Sequence, residues 1–325
     1  MALTLPLIQE ARERIGSLVR RTPVVTSETI DREAGARLFF KCENFQKVGA
    51  FKFRGAVNAI FALPTEQLRR GVVTHSSGNH GAALACAAAL RAAPAHIVIP
   101  RSAPRVKVDA VHRYGGTVHL CADTLQSRVE TATAIVEDTG ATLVHSCDDI
   151  LVMAGQGTVT AELLEDVSTL DAVVCPVGGG GLLAGTAVAA KNVNPRIRVV
   201  GVEPTGADDA RRSLKAARRL PVTAASHTIA DGLRVPLGEA PFVEILRYVD
   251  DIVTVSEAAI VSAMRRIWEI QKILVEPSAA VGYAAIRENN LGVTGQRVGI
   301  ILTGGNLDLD ALPWTGIAAC NRATP

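Results

Sequence analysis

Four short segments of this chain hold groups suited to covalent chemistry on a phosphate-bearing ligand. Lys52 stands between two aromatic residues in Gly49-Ala50-Phe51-Lys52-Phe53-Arg54-Gly55-Ala56. Apolar surroundings lower a lysine's pKa and leave a neutral amine that can form a Schiff base. Val177-Gly178-Gly179-Gly180-Gly181-Leu182-Leu183-Ala184-Gly185 follows an apolar run and precedes an Ala-rich stretch. Glycines let the backbone approach an anion, and a following helix offers free N–H groups and a positive dipole end, so a phosphate belongs there. Neither GxGxxG nor GxxxxGK[ST] is met, so a phosphate is indicated without a dinucleotide or a nucleoside triphosphate being indicated. Ser76-Ser77-Gly78-Asn79-His80-Gly81 gathers hydroxyls, an amide and free N–H groups, which suit a carboxylate ligand and a ring oxygen. Leu302-Thr303-Gly304-Gly305-Asn306 offers a hydroxyl to a heteroaromatic nitrogen. Each segment alone also has a plain reading: a lysine reaching solvent, a tight turn, a serine helix cap, a Gly-Gly turn.

The elements that must position these groups follow a strand–helix rhythm. Apolar runs at Gly71–His75, Ala95–Pro100, Thr117–Cys121 and Ala172–Val177 alternate with helical patterns at Ala82–Arg91, Val106–Tyr114, Ser127–Thr139 and Leu182–Asn192. The rhythm returns at Arg198–Glu203 and Val298–Thr303, which predicts an α/β protein with a mostly parallel sheet. Leu220–Pro241 reads as an excursion, and Glu257–Ile273 resumes a helix. Breaks near Val73–Thr74 and His145–Ile150 predict a discontinuous large domain, residues 1–73 and 150–325, and a smaller inserted domain, residues 74–149.

Composition narrows the function. The 325 residues carry 34 Lys+Arg against 32 Asp+Glu, a net charge of +2, so there is no basic footprint for nucleic acid. With 48% hydrophobic and 20% charged residues the chain can bury a core. Six cysteines are scattered without a CxxC pair, which points to reduced thiols in the cytoplasm. Charges from Glu10 to Arg14 break any signal-peptide run and leave an amphipathic helix within Met1–Arg21. The longest uncharged stretch, Ala172–Ala190, holds Pro176 and four glycines and would break as a membrane span.

Taken together and in order, the four segments resemble the fold-type II pyridoxal-phosphate enzymes, in particular the serine/threonine dehydratase and serine racemase group. The resemblance extends from Arg20-Arg21-Thr22-Pro23 through Phe40-Lys41-Cys42-Glu43-Asn44-Phe45-Gln46 to Val275-Glu276-Pro277-Ser278 and Gly305-Asn306-Leu307-Asp308. It implies mostly parallel twisted sheets flanked by helices, like the tryptophan synthase β chain, and pyridoxal 5′-phosphate as cofactor. Lys52 would carry the cofactor with Phe51 beside it; Gly178, Gly179, Gly180, Gly181 and Leu182 would hold its phosphate. Asn79 would bond the ring hydroxyl oxygen, Thr303 would face the ring nitrogen, and Glu276 would complete the seat. Ser76, Ser77, Asn79, His80 and Arg128 would receive the amino-acid substrate, with Ser77 on the face opposite Lys52. Glu203, the Ala207 carbonyl and Asp209, in Glu203-Pro204-Thr205-Gly206-Ala207-Asp208-Asp209, would bind Mg²⁺ or Ca²⁺.

The implied activity is β-elimination from serine, threonine or 3-hydroxyaspartate to a 2-oxo acid and ammonia. Racemisation by Lys52 and Ser77 is the alternative, and a non-catalytic phosphate-binding regulator is a reading of another class. The resemblance also implies a homodimer, and it puts Lys47 and Asn306 where some relatives bind an activating ATP. The chain departs from the family at His145-Ser146-Cys147-Asp148-Asp149, where Cys147 replaces a ring-side asparagine. About 20 residues follow the Thr303 motif, so the regulatory domain of biosynthetic threonine dehydratases is not expected.

Overall fold

A computed structural model describes residues 2–76, 78–103, 105–222 and 227–314. Among these residues ten strands form two sheets: β1 (Val24–Val25), β2 (Arg37–Cys42), β3 (Val72–His75), β4 (Ala95–Pro100), β5 (Thr117–Cys121), β6 (Thr142–Leu143), β7 (Ala172–Pro176), β8 (Arg198–Pro204), β9 (Asp251–Val255) and β10 (Arg297–Leu302). The larger sheet has the order β1-β2-β10-β7-β8-β9 and is parallel except for β1, which pairs antiparallel with β2. The smaller has the order β5-β4-β3-β6 and is parallel throughout.

Parallel strands covered on both faces read as continuous apolar runs, and all five residues of β7 are buried. Their side chains alternate between two cores. Ala172 and Val174 join Phe40, Val200 and Ile300 under the helices Glu257–Gln271 and Pro277–Arg287, whereas Val173 and Cys175 join Val199 and Ile301 under Ile150–Asp166 and Gly181–Val193. A third core unites Phe53, Val57 and Ile60 of the helix Lys52–Ala62 with Leu84 of Asn79–Ala89 and Ile97 of β4. Lys52 is thereby carried on a helix lodged against the elements of the smaller sheet.

That helix also lies close against Ile150–Asp166. A Cβ on Gly155 would come within 2.6 Å of Gly55 Cα, so only glycine permits this backbone approach. Nearby, the fully buried Arg54 donates to Glu43 at 2.8 Å and to Glu162 at 2.7 and 2.8 Å, and the buried Lys41 pairs with Glu162 at 2.9 Å. This charge cluster ties the first turns of the lysine helix to β2 and to Ile150–Asp166.

The six predicted runs fall on β3, β4, β5, β7, β8 and β10 within a residue or two, whereas β1, β2, β6 and β9 were not anticipated. Helix starts differ more. The pattern from Ala82 begins instead at Asn79, and the one from Ser127 begins at Leu125, where the Thr124 hydroxyl accepts from Ser127 N. The 17-residue helix Ile150–Asp166 shows little amphipathic pattern because it is buried on nearly all sides. Ala172–Ala190 resolves into β7, the glycine turn and a helix, and no helix among the described residues is long and apolar enough to cross a membrane.

Candidate active site

The four segments meet in one cavity of about 240 Å³, at the C-terminal ends of β3, β7 and β10 and the N-terminus of the lysine helix. Ligands in open parallel sheets bind at such strand ends. Phe51 N donates to the Thr303 carbonyl at 3.0 Å, and Ala50 bridges Gly304, which fixes the lysine segment against the loop after β10. The Lys52 ammonium lies 5.1 Å from the Phe51 ring centroid and donates to the Ser146 carbonyl at 2.7 Å. Burial holds its pKa below the ordinary lysine value, which favours a neutral, nucleophilic amine.

The glycine loop runs from the end of β7 into the helix Gly181–Val193, with Gly180 in the left-handed region at φ 87°. Among the described residues, the N–H groups of Gly178 through Leu182 have no acceptor, which leaves them free for an anion. The loop is tight from behind: a Cβ on Gly179 would fall 2.2 Å from Cys147 Sγ. Leu182 lines the same cavity.

Opposite the loop, Asn79 opens the helix Asn79–Ala89. Its amide donates to Glu276 Oε1 at 2.8 Å and accepts from Asn306 Nδ2 at 2.9 Å. Asn306 in turn donates to the Val48 carbonyl at 2.7 Å, so it acts as a brace for Asn79. Burial pushes the Glu276 carboxyl up to about 7, with the Lys107 charge opposing. Glu276 Oε2 and Thr303 Oγ1 are buried with no partner among the described residues. Unpaired buried polar atoms are costly unless a ligand meets them. A heteroaromatic ring with a nitrogen and a hydroxyl, tethered at Lys52 and ending in a phosphate, fits this set of donors and acceptors.

The substrate-loop residues lie alongside. Ser76 Oγ accepts from Gly78 N at 3.3 Å, and among the described residues no side chain caps the helix that follows. His80 is buried, and desolvation followed by the Lys52 charge pushes it down to about 3. His75, 5.4 Å from the His145 ring, is pushed down to about 4, first by burial and then by the charges of His145 and Arg128. Arg128 lines the cavity, and its guanidinium donates to the Thr124 carbonyl at 3.4 Å. Ser77 lies outside the described residues.

The acidic triplet stands apart from this cavity. Glu203, at the end of β8, accepts from the N–H groups of Ala210 at 3.0 Å and Arg211 at 2.8 Å, and Asp209 accepts from Leu237 N at 2.9 Å. Burial, with Asp209 adding to it, pushes Glu203 up to about 8, and burial raises Asp209 as well. Burial and the Asp209 charge both disfavour ionised Glu203, a penalty that a nearby cation would relieve. No group of three or more His, Cys, Asp and Glu side chains gathers there or elsewhere among the described residues.

Several lining residues carried no local signal. Lys107 looks like any lysine of an amphipathic helix, Asp231 lies in the excursion, and Ser146 contributes a carbonyl. The oddity at Cys147 was legible, and the thiol does sit in the cavity wall behind the glycines.

A family model for pyridoxal-phosphate dependent enzymes matches residues 15–304. The serine racemase of Arabidopsis thaliana is 48% identical over 312 residues, covering 94% of this chain and 93% of its own. The beta-hydroxyaspartate dehydratase of Paracoccus denitrificans (strain Pd 1222) is 49% identical over 304 residues, covering 94% and 96%. The structure of maize serine racemase superposes with a TM-score of 0.93 at 46% identity and covers 98% of each chain. With a half-buried lysine, a glycine turn bearing free N–H groups and two unpaired buried polar atoms on one cavity, this chain belongs to the pyridoxal-phosphate dependent enzymes.

Proposed function

We propose that this enzyme eliminates the β-hydroxyl of a hydroxy amino acid, such as L-serine, L-threonine or 3-hydroxyaspartate, to yield a 2-oxo acid and ammonia. The observation that carries the reading is the convergence of the half-buried Lys52, the glycine quartet and the orphaned Thr303 hydroxyl on one cavity. When bound, pyridoxal phosphate supplies an aldehyde for the amines and an electron sink at Cα. The free Lys52 amine, its basicity lowered by burial, takes the Cα proton. Ser76, Asn79 and His80 orient the substrate carboxylate, and Arg128 adds positive charge at the same wall. The enzymes named as serine racemases at 48 and 46% identity favour a second reading, in which Ser77 returns a proton from the other face.

We further infer a divalent cation held by Glu203, the Ala207 carbonyl and Asp209. Residues 1–73 with 150–325 form the cofactor domain in this reading, and 74–149 a small domain over the substrate. A cytoplasmic homodimer completes it.

The test is a screen of β-hydroxy amino acids for ammonia and 2-oxo acid, run beside a chiral assay, with and without Mg²⁺ and EDTA. The expected result is 2-oxo acid release, greater with Mg²⁺ than with EDTA, and a visible absorbance band bleached by borohydride and missing in Lys52→Ala. A wild type with no such band, or one that turns over none of these amino acids, refutes the reading. Conservation of the amino acid with inversion at Cα selects racemisation instead.

A further inference from the structure

Lys107 is a second lysine in the active-site wall, and the chemistry described so far does not use it. It lies on the helix Arg105–Arg113, which packs against β5 and the helix Asn79–Ala89. Its side chain is only 10% exposed. The ammonium pairs with Asp231 of the turn Asp231–Leu233, which backs the glycine loop: a Cβ on Gly178 would touch Leu233 Cα at 3.0 Å. The same ammonium stands 3.8 Å from where a Cβ on Gly78 would be, beside the substrate loop. Lys107 therefore touches both walls of the seat.

Its electrostatic counterpart is Glu276. Burial disfavours the charge of each, and each charge stabilises the other. The groups facing Glu276 among the described residues are Lys107 from its helix, the Asn79 amide from the next helix and the backbone of Asn306 after β10. Asp231 and Arg234 act on Lys107 with opposite signs, one by pairing and one by repulsion. Glu276 in turn accepts the hydrogen bond that orients Asn79, at 2.8 Å, while the brace from Asn306 holds the opposite end of that amide. An ionised acceptor grips an N–H roughly twice as strongly as a neutral one.

We propose that Lys107 is a positioning residue: clamped on Asp231 in the cavity wall it shares with Glu276, its ammonium favours the carboxylate form that holds the Asn79 amide in place for the cofactor ring. The proposal rests on the pyridoxal-phosphate reading of the cavity. It assigns Lys107 no contact with the reacting atoms. Its signature is a pH dependence carried by Glu276 and set by the charge at position 107.

The experiment is a pH titration of the visible absorbance of the cofactor-loaded enzyme in the wild type, Lys107→Met, Lys107→Arg and Glu276→Gln. Wild type is expected to show a spectral transition near pH 7, where Glu276 titrates. Removing a neighbouring positive charge lets a carboxyl keep its proton to higher pH, so Lys107→Met moves the transition upward by about one unit. Lys107→Arg returns it toward the wild-type value, and Glu276→Gln abolishes it. Lys107→Gln serves as a second neutral variant if the methionine form does not fold. A merely structural lysine would lower thermal stability and leave the transition where it was, and that result overturns the proposal. So does a transition that survives in Glu276→Gln. A wild type without a visible band overturns the cofactor reading together with this one.

Discussion

Substituting alanine at Gly179 places a methyl group in the wall that separates the phosphate cradle from Cys147. The backbone there tolerates alanine, since Gly179 is not among the positive-φ glycines, so the consequence is steric. The new Cβ would lie 2.2 Å from Cys147 Sγ, 3.0 Å from Cys147 Cβ and 3.3 Å from Val235 Cγ1. Comfortable contact is about 3.5–4.0 Å, so the loop or the thiol must move by roughly 1.5 Å. Neither can retreat easily: Gly181 is itself packed at 3.0 Å from the Cys147 carbonyl by the same measure, and Gly238 N bonds to the Gly179 carbonyl. Overpacking of this kind costs about 1–3 kcal/mol. If the strain falls on the cradle, the dissociation constant of pyridoxal phosphate rises roughly 5- to 140-fold. Fluorescence or absorbance titration of the apoenzyme with the cofactor reads it. Cys147→Ala removes the sulfur that makes the closest contact, so the double variant should recover most of the loss, with a positive coupling in the mutant cycle. Wild-type affinity in Gly179→Ala, or additive losses in the double variant, would show that the loop does not press on Cys147 as described.

Three other outcomes follow from the same geometry. Arg54→Met leaves the buried carboxylates of Glu43 and Glu162 without their shared guanidinium, and denaturant unfolding should show a loss of about 3–5 kcal/mol. Burial raises Glu162 but its bonds to Arg54 outweigh this, so its pKa is lowered; the stability this adds is present above the ordinary carboxylate value and is lost as pH falls through the folded one, a loss that should shrink in Arg54→Met. His80, pushed down to about 3 by burial first, must gain a proton on acid unfolding; its contribution is complete above its unfolded value near 6.5 and fades as pH falls toward 3, and a stability-versus-pH series on His80→Gln should lack that component.

The four chemical segments were legible because each joins a residue type to a local backbone demand that neighbours in sequence satisfy. A glycine run after an apolar strand makes an anion seat whatever the fold around it, and a lysine between aromatics is biased toward burial. Six of the strands were legible for a related reason: two-sided burial requires continuous apolar runs such as those of β7 and β10, while β1, β2, β6 and β9 carried no such signal. By contrast Ile150–Asp166 hid because a helix buried on nearly all sides shows no stripe, although it holds the lysine helix through Gly155. Asn306 was noticed only for another role, since nothing near it in sequence points to Asn79.

The residue order by itself determined which groups are on offer: an amine at Lys52, a glycine run suited to an anion, a loop of hydroxyls and an amide, and the Thr303 hydroxyl, all set by side-chain type and short-range backbone geometry. Only the folded chain decided how these groups are tuned. The lowered basicity of Lys52, the near-neutral titration of Glu276 and the thiol pressed behind Gly179 arise from burial and from charges brought together across long stretches of sequence. Desolvation and Coulomb interaction depend on distance in space, which no spacing along the chain records.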